Sequence, residues 1–381
     1  MADVARAAGV SKNAVSLALR NDPQISAATR RHVARVAARL GYQRNQVVGE
    51  LMARLRRSGQ AGFRAVLALI NANRDADAFR VHPTVPSYVE GCRRRARSLG
   101  YTLDTFWMHD PAMTGEALAR IFAARNVRGA ILVGLMDEDH LPDRIRPVIE
   151  RFPAVVTGVR TRDPALSFAC VDHHVLAAQA VEQALALGYR RPALVLDAVI
   201  DELVQGRFTA GFLMGQRRIP REDRIAPFYD VTAARRDPAV FQRWLERARP
   251  DVVFTLYTVV RQWIEEAGWR VPADVGLIQL EWRSAQPEWA GMHQHNDVVG
   301  EAAVEILDGM LTRGESGPPA FPRATLIGPT WVNGATVRQL ETPVSAAEIR
   351  SRPGNVWKVN ERPGRDACEV DRDQRGGRNR T

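Results

Sequence analysis

The chain has 381 residues, enough for two or three domains with cores of their own. Its apolar fraction (45%) and charged fraction (25%) are those of an ordinary soluble protein, and no apolar run approaches the ~18 residues that a membrane span needs. The formal charge of +10 is concentrated: residues 1–64 hold twelve basic and three acidic side chains, a surplus of nine, so the remainder is close to neutral. Such a localised basic module is the electrostatic footprint expected of phosphate binding. The first residues lack the apolar core of a secretory signal. Cys92, Cys170 and Cys368 are odd in number, widely spaced and free of metal-ligand clustering; they read as reduced thiols in a cytoplasm, each a small buried hydrophobe.

Taken in order, the chain opens on DVARAAGVSKNAVSLALRNDPQISAATRRHVARVAARLGY (3–42), which predicts three short helices. Val4, Ala5, Ala7 and Ala8 give a first apolar turn, and Gly9 breaks it by taking backbone angles other residues avoid. Ser11 is placed as an N-cap before Val15, Leu17 or Ala18, and Leu19 at helical spacing. A helix, a glycine-centred turn and a second helix are a helix-turn-helix. Ser26 caps a third helix over about 27–40, with Val33, Val36, Ala37 and Leu40 on one face and Gly41 as its stop.

DVARAAGVSKNAVSLAL followed by ISAATRRHVARVAARLGYQRN resembles the DNA-binding domain of the lactose-repressor (LacI/GalR) family, without a gap through Asn45. The resemblance implies a recognition helix with Lys12 and Asn13 at base-reading positions and Ser16 one turn on. The chemistry suits this: Lys can donate to guanine O6 and N7, and Asn can pair with adenine N6 and N7. Ser11 and Thr29 suit phosphate contacts, which position rather than specify. Leu17 departs from relatives that carry Arg there. NQVVGELM (45–52) is similar to the family's hinge, which becomes helical on DNA and wedges a leucine into the minor groove; Asn45 and Leu51 take those places.

From about Phe63 the pattern changes to alternating strands and helices, which implies parallel sheets covered on both faces. Strands are expected at AVLALI (65–70), TLDTFWM (102–108), GAILVGL (129–135), AVVTGV (154–159), ALVLDAV (193–199), DVVFTLY (251–257) and VGLIQL (275–280). Helices are expected over 88–99, 115–124, 142–151, 175–187, 207–216, 238–248 and 260–267. This resembles the family's periplasmic-binding-protein-like effector domain. RFTAGF (207–212), WRVPADVGLIQL (269–280) and VGEAAVEILDGML (299–311) are local matches.

The expected organisation is therefore an N-terminal all-α helix-turn-helix domain (1–44), a hinge and linker (45–62) and an α/β effector and dimerisation domain (63–340). That domain comprises two Rossmann-like lobes, about 63–160 with 288–317 and 161–287 with 318–340. From Glu341 the chain turns polar and irregular, and 341–381 reads as a disordered tail.

In such folds ligands sit outside the carboxyl ends of strands, between lobes. The resemblance puts Arg207 at the arginine that clamps sugar hydroxyls, with Glu281 in place of an aspartate. Asp172 matches an aspartate before a helix, where capping competes with a ligand role. Tyr229 or Phe228 offers a stacking face, and Trp282 follows Glu281. TLYTVVRQW (255–263) lacks the Asn-Asp pair that relatives carry, so the clamp for a simple sugar is only partly present.

The expected function is a DNA-binding transcription regulator, a repressor, acting as a homodimer on double-stranded operator DNA in the cytoplasm at the nucleoid. Its affinity would be set by a small-molecule effector, a sugar or sugar derivative, with no cofactor, no metal and no membrane partner. A transport solute-binding protein is the alternative, disfavoured by the basic head. An enzyme is disfavoured because no nucleophile elbow, phosphate loop or metal-spaced His/Glu set appears; His173–His174 and His293-Gln294-His295 match no ligand pattern.

Overall fold

Residues 2–19, 23–40 and 64–338 are described by the computed structural model. Gly41, Asn45, Leu51, the 45–62 hinge and the 341–381 tail lie outside the described residues.

The head is three helices: α1 (Ala2–Ala8), α2 (Lys12–Ala18) and α3 (Ala27–Arg39). Gly9, at φ +66°, makes the joint between α1 and α2, a conformation that costs a residue without a Cβ little. Val4, Ala8, Val15, Ala18, Val33, Val36 and Ala37 form one small core. Leu40 and Ala7, expected on apolar faces, are exposed. Leu40 lies beyond the last helical turn, where the 3.6-residue period no longer carries it inward.

Beyond residue 64 two sheets form. The first is parallel, with β1 (Ala65–Asn71), β2 (Tyr101–Trp107), β3 (Val127–Val133), β4 (Ala154–Thr157), β5 (Ser167–Val171) and β10 (Ala324–Ile327) in the order β10-β5-β4-β3-β1-β2. The second has β6 (Pro192–Val195), β7 (Val252–Thr255), β8 (Gly276–Gln279), β9 (Ala290–His293) and β11 (Thr330–Val332) in the order β11-β9-β8-β7-β6, with β11 antiparallel at its edge.

Strand alternation assigns the core. On β1, Leu67 and Leu69 face helices α4 (Val85–Ser98) and α10 (Asn296–Arg313), whereas Ala68 and Ile70 face α5 (Gly115–Ala124). On the second sheet, Leu194, Phe254 and Ile278 pack with α6 (His173–Ala186) and α7 (Arg207–Gln216). Ala193, Val253 and Leu277 pack with α8 (Ala239–Ala248) and α9 (Val259–Glu266). Helices therefore cover both faces of each sheet, as a parallel arrangement requires.

The expected strands and most helices stand within a few residues of their predicted bounds, with three differences. Residues 142–151 form a 3-10 turn (Asp143–Ile145) and one helical turn (Arg146–Ile149), because Pro147 lacks the N–H that would continue a single helix. ALVLDAV stops being a strand at Val195, and Ala198–Leu203 is a short helix. The lobe boundaries also shift. Ser167–Val171 and Ala324–Ile327, expected in the second lobe, pair into the first sheet, and Ala290–His293, expected in the first, pairs into the second. A nine-residue loop without a helix carries β4 to β5, so the helix-strand rhythm that marks a crossover is missing there. The chain passes from one sheet to the other near 172, 294–295 and 328–329.

Candidate functional site

The starts of α2 and α3 are fixed by caps. Ser11 accepts a hydrogen bond from the Ala14 N–H at 3.0 Å and so starts α2, which sets Lys12 and Asn13 in its first turn and Ser16 one turn on. Ser26 caps α3 through the Thr29 N–H at 3.2 Å, and the two hydroxyls are 2.8 Å apart. Ser11 and Thr29 therefore already serve helix starts.

A cavity of about 500 Å³ lies where the strands of both sheets end. Its walls follow from strand direction. Leu135, Met136 and Asp137 come just after β3, and Gly158 and Val159 just after β4. Leu256, Tyr257 and Thr258 follow β7; Glu281 and Arg283 follow β8; Gln294 follows β9. Parallel strands deliver their carboxyl ends to one side, so the loops there converge on a crevice. His82, Thr84 and Tyr88 close it from the start of α4, and His173, Val204 and Phe208 from α6 and α7.

Glu281 is the buried acid of this cavity. It accepts from Arg283 Nη2 at 2.6 Å and from Asn296 Nδ2 at 3.1 Å, and Thr84 also bonds it. Burial pushes its carboxyl above the usual range, opposed by Arg283, Thr84 and Asn296. Since β8 carries Glu281 while α4 and α10 flank Thr84 and Asn296, this carboxylate links the two sheets' halves across the cavity.

Both lining histidines are held neutral. His82 Nδ1 accepts the Thr84 and Val85 N–H groups at 3.1 and 3.3 Å, and burial, then Arg283, pulls its pKa down. His173 packs against Phe208 with ring centroids 4.5 Å apart; burial, then Arg207, holds it well below 6.5. Its Nδ1 has no hydrogen-bond partner among the described residues. Tyr257 accepts the Asp197 N–H at 3.2 Å, and the Arg235 guanidinium lies 5.0 Å from its ring centroid.

Of the five effector residues expected from the sequence, Glu281 lines the cavity and the other four do not. Arg207 donates from Nε to the Val204 carbonyl at 2.8 Å and from Nη1 to Cys170 Sγ at 3.2 Å, tying the start of α7 to β5 of the first sheet. Asp172 caps α6 through the Val175 N–H at 3.1 Å. The Tyr229 hydroxyl is bonded to that of Thr209. Trp282 lies against His293 with ring centroids 5.5 Å apart and the rings tilted. Phe228 belongs to the core with Phe241 and Trp244. Tyr257 and Arg283 stand just after β7 and β8, where the sequence pattern already marks ligand positions. Arg235, His82 and Thr84 come from helix and loop segments that fold in from elsewhere, and no local pattern marks them. Among the described residues no group of three or more His, Cys, Asp or Glu could hold a metal, and no helix is long and apolar enough to cross a membrane.

Comparison with known proteins agrees with both halves. Residues 1–45 match the family described as "Bacterial regulatory proteins, lacI family", and residues 181–337 match a "Periplasmic binding protein-like domain". The HTH-type transcriptional regulator MalR of Streptococcus pneumoniae is 25% identical over 193 residues, 51% of this chain and 55% of that protein; the chain thus spans about half the length of that relative. Among solved structures, a transcriptional regulator CelR–cellobiose complex aligns with a TM-score of 0.53 at 19% identity, covering 87% of this chain and 98% of that one. A lac repressor dimer bound to operator and the anti-inducer ONPF aligns with a TM-score of 0.52 at 21% identity, covering 88% and 97%. The basic helix-turn-helix head is thus a lacI-family domain over residues 1–45, and it is joined to a body that is periplasmic-binding-protein-like over residues 181–337.

Proposed function

We propose that the protein is a sequence-specific transcription regulator, a repressor and not an enzyme, whose operator affinity is set by a small molecule bound in the cavity. The observation that carries this is the union, in one chain, of the helix-turn-helix module over residues 1–45 with a cavity at the carboxyl ends of the strands of two sheets. The parts are 1–44 for reading DNA, 45–62 as hinge and linker, and 63–340 as the effector and dimerisation body. Lys12 and Asn13 read bases, Ser16 supports them, Ser11 and Thr29 approach phosphates, Asn45 and Leu51 act at the hinge. Two copies related by a two-fold axis read a pseudo-palindrome in double-stranded DNA. The protein works in the cytoplasm, at the nucleoid.

The effector belongs to the sugar class in its widest sense. The CelR neighbour was solved with cellobiose, and here Phe208 and Tyr257 offer ring faces while Thr84, Thr258 and Gln294 offer polar groups. Glu281 and Arg283 are the cavity's buried polar anchor. Arg207 acts one step away, through its tie between α7 and β5.

The test is selection of bound sequences from random duplex DNA by the purified full chain, with and without candidate sugars and sugar derivatives. Enrichment of a two-fold-symmetric site, shifted by one of the compounds, is expected. Failure to enrich any sequence overturns the regulator reading.

A further inference from the structure

The charged groups of the cavity wall do not balance at every point. Four charged side chains line it: Asp137, Arg235, Glu281 and Arg283. Glu281 and Arg283 neutralise one another at 2.6 Å, and the second oxygen of Glu281 is taken by Asn296. Asp137 faces Arg74 at 3.6 Å. Burial shifts His82 and His173 toward their neutral forms. Arg235 remains. Its guanidinium rests over the Tyr257 ring at 5.0 Å, and it pairs with no carboxylate among the described residues. The nearby Asp197 carboxylate is engaged by the N–H and hydroxyl of Thr232, both at 3.0 Å. Arg207, which in this family's pattern would meet neutral hydroxyls, donates instead to Val204 and Cys170.

Resting on the reading of this cavity as the effector site, we propose that its ligand is a hydroxylated monocarboxylate, an aldonic or uronic acid rather than a neutral sugar, with Arg235 receiving the carboxylate beside Tyr257. A guanidinium fork matches a carboxylate in two parallel N–H···O bonds and prefers it to a single hydroxyl. The aromatic face beneath holds the planar fork in one orientation, so little further entropy is lost on binding. The rest of the wall meets the polyhydroxy portion: Thr84, Thr258 and Gln294 supply hydrogen-bonding groups and Phe208 an apolar face. A single unmatched cation sets the ligand charge at one. A phosphate dianion would bring a second negative charge for which the wall, its other cations already paired, offers no partner. The volume of about 500 Å³ admits a six-carbon acid with room for ordered water.

The experiment is calorimetric titration of the full chain, without DNA, with D-gluconate, D-galactonate, D-glucuronate and D-galacturonate. D-glucose, D-galactose and cellobiose serve as neutral counterparts, and glucose 6-phosphate as the dianionic one. At least one acid is expected to bind tenfold or more tightly than its neutral counterpart and than the phosphate. Arg235→Gln, a change at an exposed helical position, should weaken that acid at least tenfold and leave the weak neutral binding and the circular dichroism spectrum unchanged. Tighter binding of a neutral sugar or of the phosphate overturns the proposal, as does binding of none of the acids, or an Arg235→Gln variant that keeps the wild-type affinity. Because no operator is present, any of these results leaves the regulator reading standing, and a failed DNA selection leaves this one standing.

Discussion

His173 and Glu281 sit on one cavity wall and respond to acid in opposite directions. His173 is held neutral by burial, so the unfolded chain takes up a proton first as pH falls below 6.5. Stability present above that pH is then lost on acidification, by at most about 1.4 kcal/mol per pH unit. Glu281, raised by burial, favours its protonated form in the fold, so its share is present at low pH and fades as pH rises through its folded pKa. Chemical denaturation of wild type and His173→Gln between about pH 7 and 5 checks the first claim: the variant should show the shallower loss, and equal slopes would mean that His173 is not a buried neutral ring. In the head, Lys12→Ala and Asn13→Ala should each cost roughly 1–3 kcal/mol on the selected operator and little on unrelated duplex. Binding titrations that preserved the wild-type ranking of sites would move the reading residues elsewhere.

Helices α4 and α10 show how an element can depend on a missing side chain. A methyl group at Gly91 would run into the Asp297 carbonyl, and one at Gly300 into that of Tyr88, so the two helices cross with backbones in near contact. Arg94 ties the same pair through Asp297 at 2.8 Å and Glu301 at 2.5 Å, but these groups are half-exposed and add little. Gly300→Ala is expected to destabilise the body by about 1–3 kcal/mol, the usual range for overpacking, with thermal or urea unfolding as the measurement. Arg94→Ala should change it by less than about 1 kcal/mol. A Gly300→Ala protein as stable as wild type would mean that the helices can part cheaply. At the head, Ser11→Ala removes the α2 cap and should cost about 1 kcal/mol, read as weaker operator binding through a frayed recognition helix, with base preference retained.

For the whole molecule the concentration of charge in residues 1–64 predicts a steep salt response. Log affinity for operator should fall linearly with log salt, with a slope of about −0.9 for each neutralised phosphate. A salt-insensitive interaction would contradict the head as the binding surface. Coupling between cavity and DNA gives a second test. Arg207 joins α7 of one half to β5 of the other, so Arg207→Ala should leave operator affinity intact and abolish the effector response, whereas Leu51→Ala should weaken operator binding while ligand still binds. A ligand shifts an equilibrium only through its different affinities for the two states, and these variants separate the affinity from the shift. Loss of DNA binding in a folded Arg207→Ala dimer would end that division of labour.

Local signals carried the head and the order of elements. Ser11, Gly9, Ser26 and the apolar spacing of α2 and α3 act within one helical turn, so caps, joint and core residues could be placed from neighbours in the chain. The same holds for the buried runs of β1, β3 and β8, whose length and bounding turns are local properties. Folding alone decided the rest. Ser167–Val171 and Ala324–Ile327 are too short to declare a partner, and a strand's sheet is set by which edge offers unpaired N–H and C=O groups. Arg207 could be placed by its motif, but its direction depends on Cys170, 37 residues away. Thr84 lies some two hundred positions before Glu281 and Asn296, and Arg235 stands on a short helix between β6 and β7; each meets its partner at the carboxyl ends of the strands only once the helices and loops have folded over that side. Chemistry that needs several elements at one point is a property of their packing, and short-range periodicity carries no record of it.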